Sequence, residues 1–350
     1  MKKTLIASAI AAISFSGAVA AEAPEPAMSI LHLTEKMDAM PNFYGNIQYV
    51  YSYTDSDSDV SGGGGEHKDN GTTLGFTHDH QIAPGIEGFM KVELEVASAE
   101  EKGAGNGLTD LDEAYIGVRG DSFGQVWLGS DDSQYESLLG DYGNWVFEVA
   151  TLNPYASYTT GEGDMLQYAS PSFGGLTLHA GVQIQGASDS SYGGGDEKRP
   201  YQLGASYSVD ALTLSFVMDS NDGAADSSNE NSYGLSAEYA IDDLVLDAYY
   251  DTRKGIAGAE NNNTALDGEE GRDQFGMMAT YSMGANTFRA AYEMASADTS
   301  DLDVDVITLQ ALHNVSDHLY VYTELAQRNN DNGTADEEIN QINVGGTYYF

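Results

Sequence analysis

The feature that most constrains this chain is a repeat of two. From Asn42 onward, segments of about ten residues alternate apolar and polar side chains. Leu176, Leu178, Ala180, Val182 and Ile184 fall on one face, and Thr177, His179, Gly181, Gln183 and Gln185 on the other. Leu212, Leu214, Phe216 and Met218 repeat the pattern, as do Phe288, Ala290, Tyr292 and Met294. Successive side chains of a strand point to opposite faces, so such a segment needs an apolar medium on one side and water on the other.

The connectors alternate as well. Short ones are Ala83-Pro84-Gly85, Gly174-Gly175, Asp210-Ala211, Asp242-Asp243, Gly284-Ala285 and Ser316-Asp317. Long polar ones occupy 55–69, 99–109, 187–199, 220–230, 255–271 and 329–337. Short turns at one end and long loops at the other are the layout of an all-β, antiparallel transmembrane barrel. The pattern predicts about sixteen strands, near 43–54, 70–82, 86–98, 110–119, 123–130, 163–172, 176–186, 200–208, 211–219, 231–241, 243–253, 272–282, 285–296, 304–314, 317–327 and 339–350. A barrel of that size encloses water rather than a packed core. A soluble sandwich is the competing reading. It predicts similar turns at both ends, and it does not account for Tyr239, Tyr250, Tyr281, Tyr292 and Tyr348 lying toward strand ends, where a membrane girdle belongs.

The N-terminus sets the compartment. Lys2 and Lys3 precede a short apolar run, and Ala18-Val19-Ala20 is a small-x-small cleavage signature, so 1–20 reads as a secretory signal peptide. Residues 21–42, bracketed by Pro24, Pro26 and Pro41, read as an extension whose role the sequence leaves open, and 43–350 as the barrel. The chain holds 55 acidic and 14 basic residues. A surface this acidic repels nucleic acid and favours cations. Its 23 tyrosines and 11 phenylalanines supply the apolar area that a disordered acidic chain lacks.

Three stretches carry a family resemblance. Gly345-Gly346-Thr347-Tyr348-Tyr349-Phe350 resembles the C-terminal signal of bacterial outer-membrane proteins, in which Tyr348 and Phe350 would be read by the barrel assembly machinery. Glu113-Ala-Tyr-Ile-Gly-Val-Arg119-Gly-Asp-Ser-Phe-Gly124-Gln-Val-Trp-Leu-Gly129 looks like the paired strands of the general porins of Gram-negative bacteria. Tyr168-Ala-Ser-Pro171-Ser-Phe173-Gly-Gly-Leu176 looks like the strand after their constriction loop. The resemblance covers 43–350. It implies a homotrimer in the outer membrane, in contact with lipid and lipopolysaccharide, that passes small hydrophilic solutes and ions and needs no cofactor.

It also implies that the third loop, about 131–162, folds into the pore. Here that loop carries Asp131, Asp132, Glu136, Asp141 and Glu148 and no base, with Tyr135, Tyr142, Trp145, Phe147, Tyr155 and Tyr158 to pack it on the wall. General porins set such acids against wall arginines. This sequence has Thr73, Ser130 and Glu162 where the resemblance leads one to expect bases. Alternation places Glu87, Lys91, Glu93, Glu95, Glu238, Asp247, Asp251, Arg253, Arg289, Glu293, Glu324 and Arg328 on the lumenal face, and Arg119 joins them as a wall residue. Acids outnumber bases, so the expectation is a cation-preferring diffusion channel. A substrate-specific channel, or an adhesive barrel acting through its acidic loops, is the alternative.

Other chemistry finds little support. Acid clusters at 55–59, 110–113, 269–270 and 301–305 are candidates for weak Ca²⁺ or Mg²⁺ binding, but none has the spacing of an EF-hand loop. His78 and His80 share one strand face without an evident third ligand. No Gly-x-Ser-x-Gly or His-Glu-x-x-His is present, so no enzyme is expected.

Overall fold

The structure, a computed structural model, describes residues 40–57, 63–102, 107–139, 147–148, 160–184, 199–222, 230–253, 271–298, 300–334 and 336–350. The signal peptide and nearly all of the 21–42 extension lie outside the described residues, as do Asp141, Tyr142, Trp145, Tyr155 and Tyr158.

The strands are β1 (Asn42–Ser56), β2 (Gly64–Asp69), β3 (Thr73–Ala83), β4 (Ile86–Ala97), β5 (Gly107–Gly120), β6 (Gly124–Ser130), β7 (Met165–Ala169), β8 (Leu176–Gln183), β9 (Tyr201–Val209), β10 (Leu212–Asp219), β11 (Ser232–Ile241), β12 (Leu244–Arg253), β13 (Arg272–Met283), β14 (Asn286–Ala297), β15 (Asp303–Ser316), β16 (Leu319–Asp331) and β17 (Asp336–Tyr349), with a short helix α1 (Gln134–Leu139) between β6 and β7. These seventeen segments fill sixteen positions, because β2 and β3 are two parts of one wall strand. Both pair with β1, through Tyr49↔Asp69 to Thr54↔Gly64 and Asn42↔Thr77 to Gly45↔Leu74. The ladder therefore begins at Gly64, where sequence places a loop up to residue 69. Its interruption at 70–72 is held by the Asp69 carboxylate, which accepts from the amides of Gly71 and Thr72 at 2.8 and 2.7 Å.

Every strand pairs antiparallel with its neighbour, and β17 pairs back onto β1 from Asn46↔Tyr349 to Ser56↔Ile339, which closes the sheet. Gly45 and Phe350 exchange backbone hydrogen bonds of 3.1 and 3.0 Å at the lower end of this seam. Closure leaves no open edge, the condition for crossing a bilayer with strands. No helix of the described residues is long and apolar enough to span a membrane.

Short turns connect the strands at one end. Asp242 and Gly284 adopt φ of 51° and 61°, the positive values a two-residue hairpin turn requires. Between the ends, the predicted outer face is apolar and exposed: Leu235 is 52 % exposed, Met277 49 %, Val344 51 % and Tyr348 50 %. A continuous exposed apolar band is untenable in water and is the lipid-facing surface of a barrel.

Candidate functional site

The inner face is identified by what packs against it. Tyr135, Leu138 and Leu139 of α1 are buried together with Val217 of β10, whose neighbours Leu214 and Phe216 point outward. The segment after β6 therefore enters the barrel and lies on its inner wall. Ser133 starts the helix by accepting the Glu136 amide on its Oγ at 3.2 Å. The Tyr135 amide donates to Gln202 Oε1 at 2.9 Å and its hydroxyl to Asp251 at 2.6 Å. Ser236 Oγ donates to the Leu138 carbonyl at 2.9 Å. Glu136, expected to point at the pore, is instead 6 % exposed.

Further along, Phe147 packs on Tyr249, Met278 and Ala291 of β12, β13 and β14. Glu148 reaches the far wall. Its amide donates to Glu324 at 2.7 Å, its carboxylate accepts from the Tyr320 hydroxyl at 2.6 Å, and its carbonyl accepts from Asn70 at 2.8 Å. The described parts of the loop thus touch the inner wall from β8 round to β16 and the break at 70–72.

Two charged groups face the interior. On β4 and β5, Lys91 forms ion pairs with Glu93 at 3.7 Å and with Glu113, and its Nζ lies 5.9 Å from the centre of the Tyr44 ring. Thr73 is in register with Glu95 and accepts from Asn46 at 2.9 Å, so both belong to this wall. Asp131 and Asp132 follow directly after β6. Trp127 Nε1 donates to Asp131, the Asp131 amide donates to the Glu162 carbonyl at 3.1 Å, and Gln167 donates to the Asp132 carbonyl at 2.8 Å. Burial pushes the Asp131 carboxyl up to about 7, with neighbouring Glu113 and Asp132 adding to the push and the Trp127 hydrogen bond opposing it. Burial and the Glu162 charge raise Asp132 as well.

The second group is basic. Arg253 of β12 and Arg272 of β13 are register partners and are each 2 % exposed, close to Asp251 and Tyr135. Arg289 of β14 lies near Glu148 and Glu324 and donates to Gln310. Arg328 of β16 donates to Asn330 at 2.9 Å and lies near Glu293 and Glu337. Glu293 and Glu324 are fully buried, accepting from Tyr249 at 3.1 Å and from Gln310 at 2.8 Å. Eight of the sixteen positions separate β4 from β12 and β5 from β13, so Lys91, Glu93 and Glu113 stand across the barrel from Arg253 and Arg272, while Arg289 on β14 and Arg328 on β16 lie six and four positions from β4.

Among the wall residues one expectation is corrected, that of Ser130, and one residue is added. Arg253, Arg289 and Arg328 lie on the inner face, and Arg272, which opens its strand directly after a long loop, joins them on β12–β16. Ser130 does not line the pore by register. It pairs with Ala114 on the face shared with the exposed Ile116 and Leu128, and the inward position is Gly129, where a Cβ would overlap the Ala114 carbonyl oxygen. Arg119 faces inward but far from the loop. It sits beside the short turns, donating to Asp79 at 2.8 Å and Glu87 at 2.6 Å, and is 46 % exposed. Among the described residues no group of three acids or histidines is arranged to hold a metal ion.

A sequence profile described as Gram-negative porin matches residues 7–333. The chain belongs to the Gram-negative porin family. A monosaccharide porin of a Halomonas species and a major outer membrane protein of Halomonas elongata are each 36 % identical over 203 residues, 53 % of this chain and 50 % of theirs. The chain thus spans about half the length of the curated relatives it matches. Among solved structures, an anion-selective porin from Comamonas acidovorans superposes with TM-score 0.70 at 17 % identity, covering 89 % of this chain and 99 % of that one. OmpF of Salmonella typhi, in complex with daunomycin, gives TM-score 0.67 at 16 % identity over 90 % and 99 %. The trimer form of OmpT from Vibrio cholerae gives 0.65 at 15 % over 89 % and 99 %. These likenesses carry the fold, a closed porin barrel, and the family match together with the relative named a major outer membrane protein places it in the outer membrane.

Proposed function

We propose that this porin is an outer-membrane channel for passive diffusion of small hydrophilic solutes and ions, and that it prefers cations. The observation that supports the preference is the burial of Arg253 and Arg272, set against a β4–β6 wall whose carboxylates water reaches; Arg289 and Arg328 stay partly exposed, and Glu293 and Glu324 are fully buried. Arg253 and Arg272 lie at 2 % exposure beside the loop, whereas the side chains of Lys91, Glu93 and Glu113 retain 25 %, 13 % and 14 %. A permeating ion is screened over about 8–10 Å and responds to the charges that water reaches. On the β4–β6 side near the loop these are carboxylates, with Lys91 as the base among them, while Arg119, 46 % exposed, lies beside the short turns. Carboxylates lining a pore favour cations. Reversal potentials in a KCl gradient across a planar bilayer test this: a potential of the sign for cation flux is expected, and anion preference refutes it.

The relative named a monosaccharide porin favours a second reading, a channel with some affinity for small sugars. Liposome swelling separates the two. Rates that follow solute size alone support general diffusion, and a monosaccharide rate that saturates supports the specific channel. A homotrimer is part of the proposal, in keeping with the trimer form of the Vibrio cholerae neighbour. Unheated gel electrophoresis of outer-membrane extracts is expected to show a species of three times the monomer mass.

A further inference from the structure

We infer that Gly204 and Gly234, on the inner face of β9 and β11, set the aperture of the pore by acting as sockets for Leu138 and Leu139 of α1. The inference rests on the channel reading above and names the residues that position its constriction. The lumenal face of these strands otherwise carries side chains such as Gln202, Ser206, Ser236 and Glu238. Opposite Leu138 and Leu139 the wall has none. A Cβ on Gly234 would stand 2.5 Å from Leu139 Cδ1, 3.0 Å from its Cδ2 and 3.1 Å from its Cγ. A Cβ on Gly204 would overlap Leu138 Cδ1 and stand 3.1 Å from the Phe216 carbonyl oxygen. The two leucines fill these notches, at 9 % and 2 % exposure.

Polar contacts alone do not hold the helix this close. The Ser236 hydroxyl to the Leu138 carbonyl and the Tyr135 amide to Gln202 fix its direction and register. Its distance from the wall is fixed by contact, because interiors are close-packed and two carbons separate to about 3.5–4.0 Å. One methyl at position 234 must therefore displace the Leu139 side chain by about 1 Å, and because that side chain is 2 % exposed and packed between wall and helix, the shift is passed to α1 and toward the pore. A glycine in a strand gives up packing and chain entropy, and it is found where another part of the molecule must come close.

Two experiments test the inference, one independent of conduction. The chain has no cysteine, so Leu139→Cys with Gly234→Cys gives a clean pair. Mild oxidation of the full-length protein in outer membranes is expected to link them, detected as a cross-linked peptide by mass spectrometry. A barrel that assembles but yields no link overturns the socket. In planar bilayers Gly234→Ala is expected to lower single-channel conductance and slow the uptake of larger solutes, and adding Leu139→Ala to restore both by making room for the new methyl. Conductance unchanged in Gly234→Ala, or reduced and not restored in the double variant, overturns control of the aperture. If Gly234→Ala fails to assemble, Gly204→Ala with Leu138→Ala repeats the comparison at the neighbouring notch. A silent wild type in bilayers would refute the channel reading, whereas a missing cross-link would refute only the socket.

Discussion

Tyr320→Phe isolates the far attachment of the constriction loop. The substitution keeps the ring and removes one hydroxyl, which donates to the Glu148 carboxylate at 2.6 Å. The bonds from the Glu148 amide to Glu324 at 2.7 Å and from Asn70 to the Glu148 carbonyl at 2.8 Å remain. A hydrogen bond to a charged group contributes roughly 1.5–3 kcal/mol when its removal strands a partner. At about 1.4 kcal/mol per tenfold, the loop end should leave the wall roughly 10- to 100-fold more often. In single-channel recordings this reads as added noise and brief excursions to a different conductance. The Tyr320 hydroxyl also opposes the upward push of burial on the Glu148 carboxyl, so in the variant Glu148 should take up its proton at a higher pH. Current noise and conductance identical to the wild type between pH 5 and pH 9 would refute the view that Glu148 clasps the loop to β16.

Four further outcomes follow from the same geometry. Asp131 is neutral below about 7 and charged above it, so the cation-to-anion permeability ratio should rise as pH increases through 7, and Asp131→Asn should abolish that step in reversal-potential titrations. The same raised value means that the native barrel binds more protons than the unfolded chain between about 4 and 7, so Asp131 lowers stability as pH rises through that window, visible in denaturant midpoints that Asp131→Asn flattens. Lys91→Met removes the base from among Glu93 and Glu113 and should strengthen cation preference without changing the assembled yield; a weaker preference would contradict the proposed role of that wall. Asp242 holds φ at 51° in a two-residue turn, where a β-branched side chain costs roughly 1–3 kcal/mol, so Asp242→Val should lower the refolding midpoint while Asp242→Gly should not.

The architecture was legible because alternation is a local property. Each lipid-crossing segment must repeat apolar and polar residues with a period of two, and the turns advertise themselves through Gly, Pro and Asp. Faces assigned to Leu176–Gln183, Leu212–Asp219 and Asn286–Ala297 agree with the observed exposures. Strand limits shifted where the pattern is weak, as in Gly64–Asp69, which has little apolar contrast. The inward positions of Lys91, Glu93, Glu293 and Glu324 followed from the same rule. Ser130 did not, because the assignment came from motif alignment rather than alternation, and one residue of slip changes the face.

What the sequence determines by itself is therefore the barrel: its strand positions, its closed antiparallel order and which side chains point inward. What only the tertiary structure decides is which inward side chains meet water. Arg253 and Arg272 point inward as surely as Lys91 and Glu93, yet α1 and Phe147 pack along their side of the wall, and the two arginines are buried while Lys91 and Glu93 stay partly exposed. Period-two alternation reports the side of a strand. It carries no information on contacts between residues a hundred positions apart, such as Tyr135 with Asp251 or Leu139 with Gly234, and those contacts set the charge that a permeating ion meets.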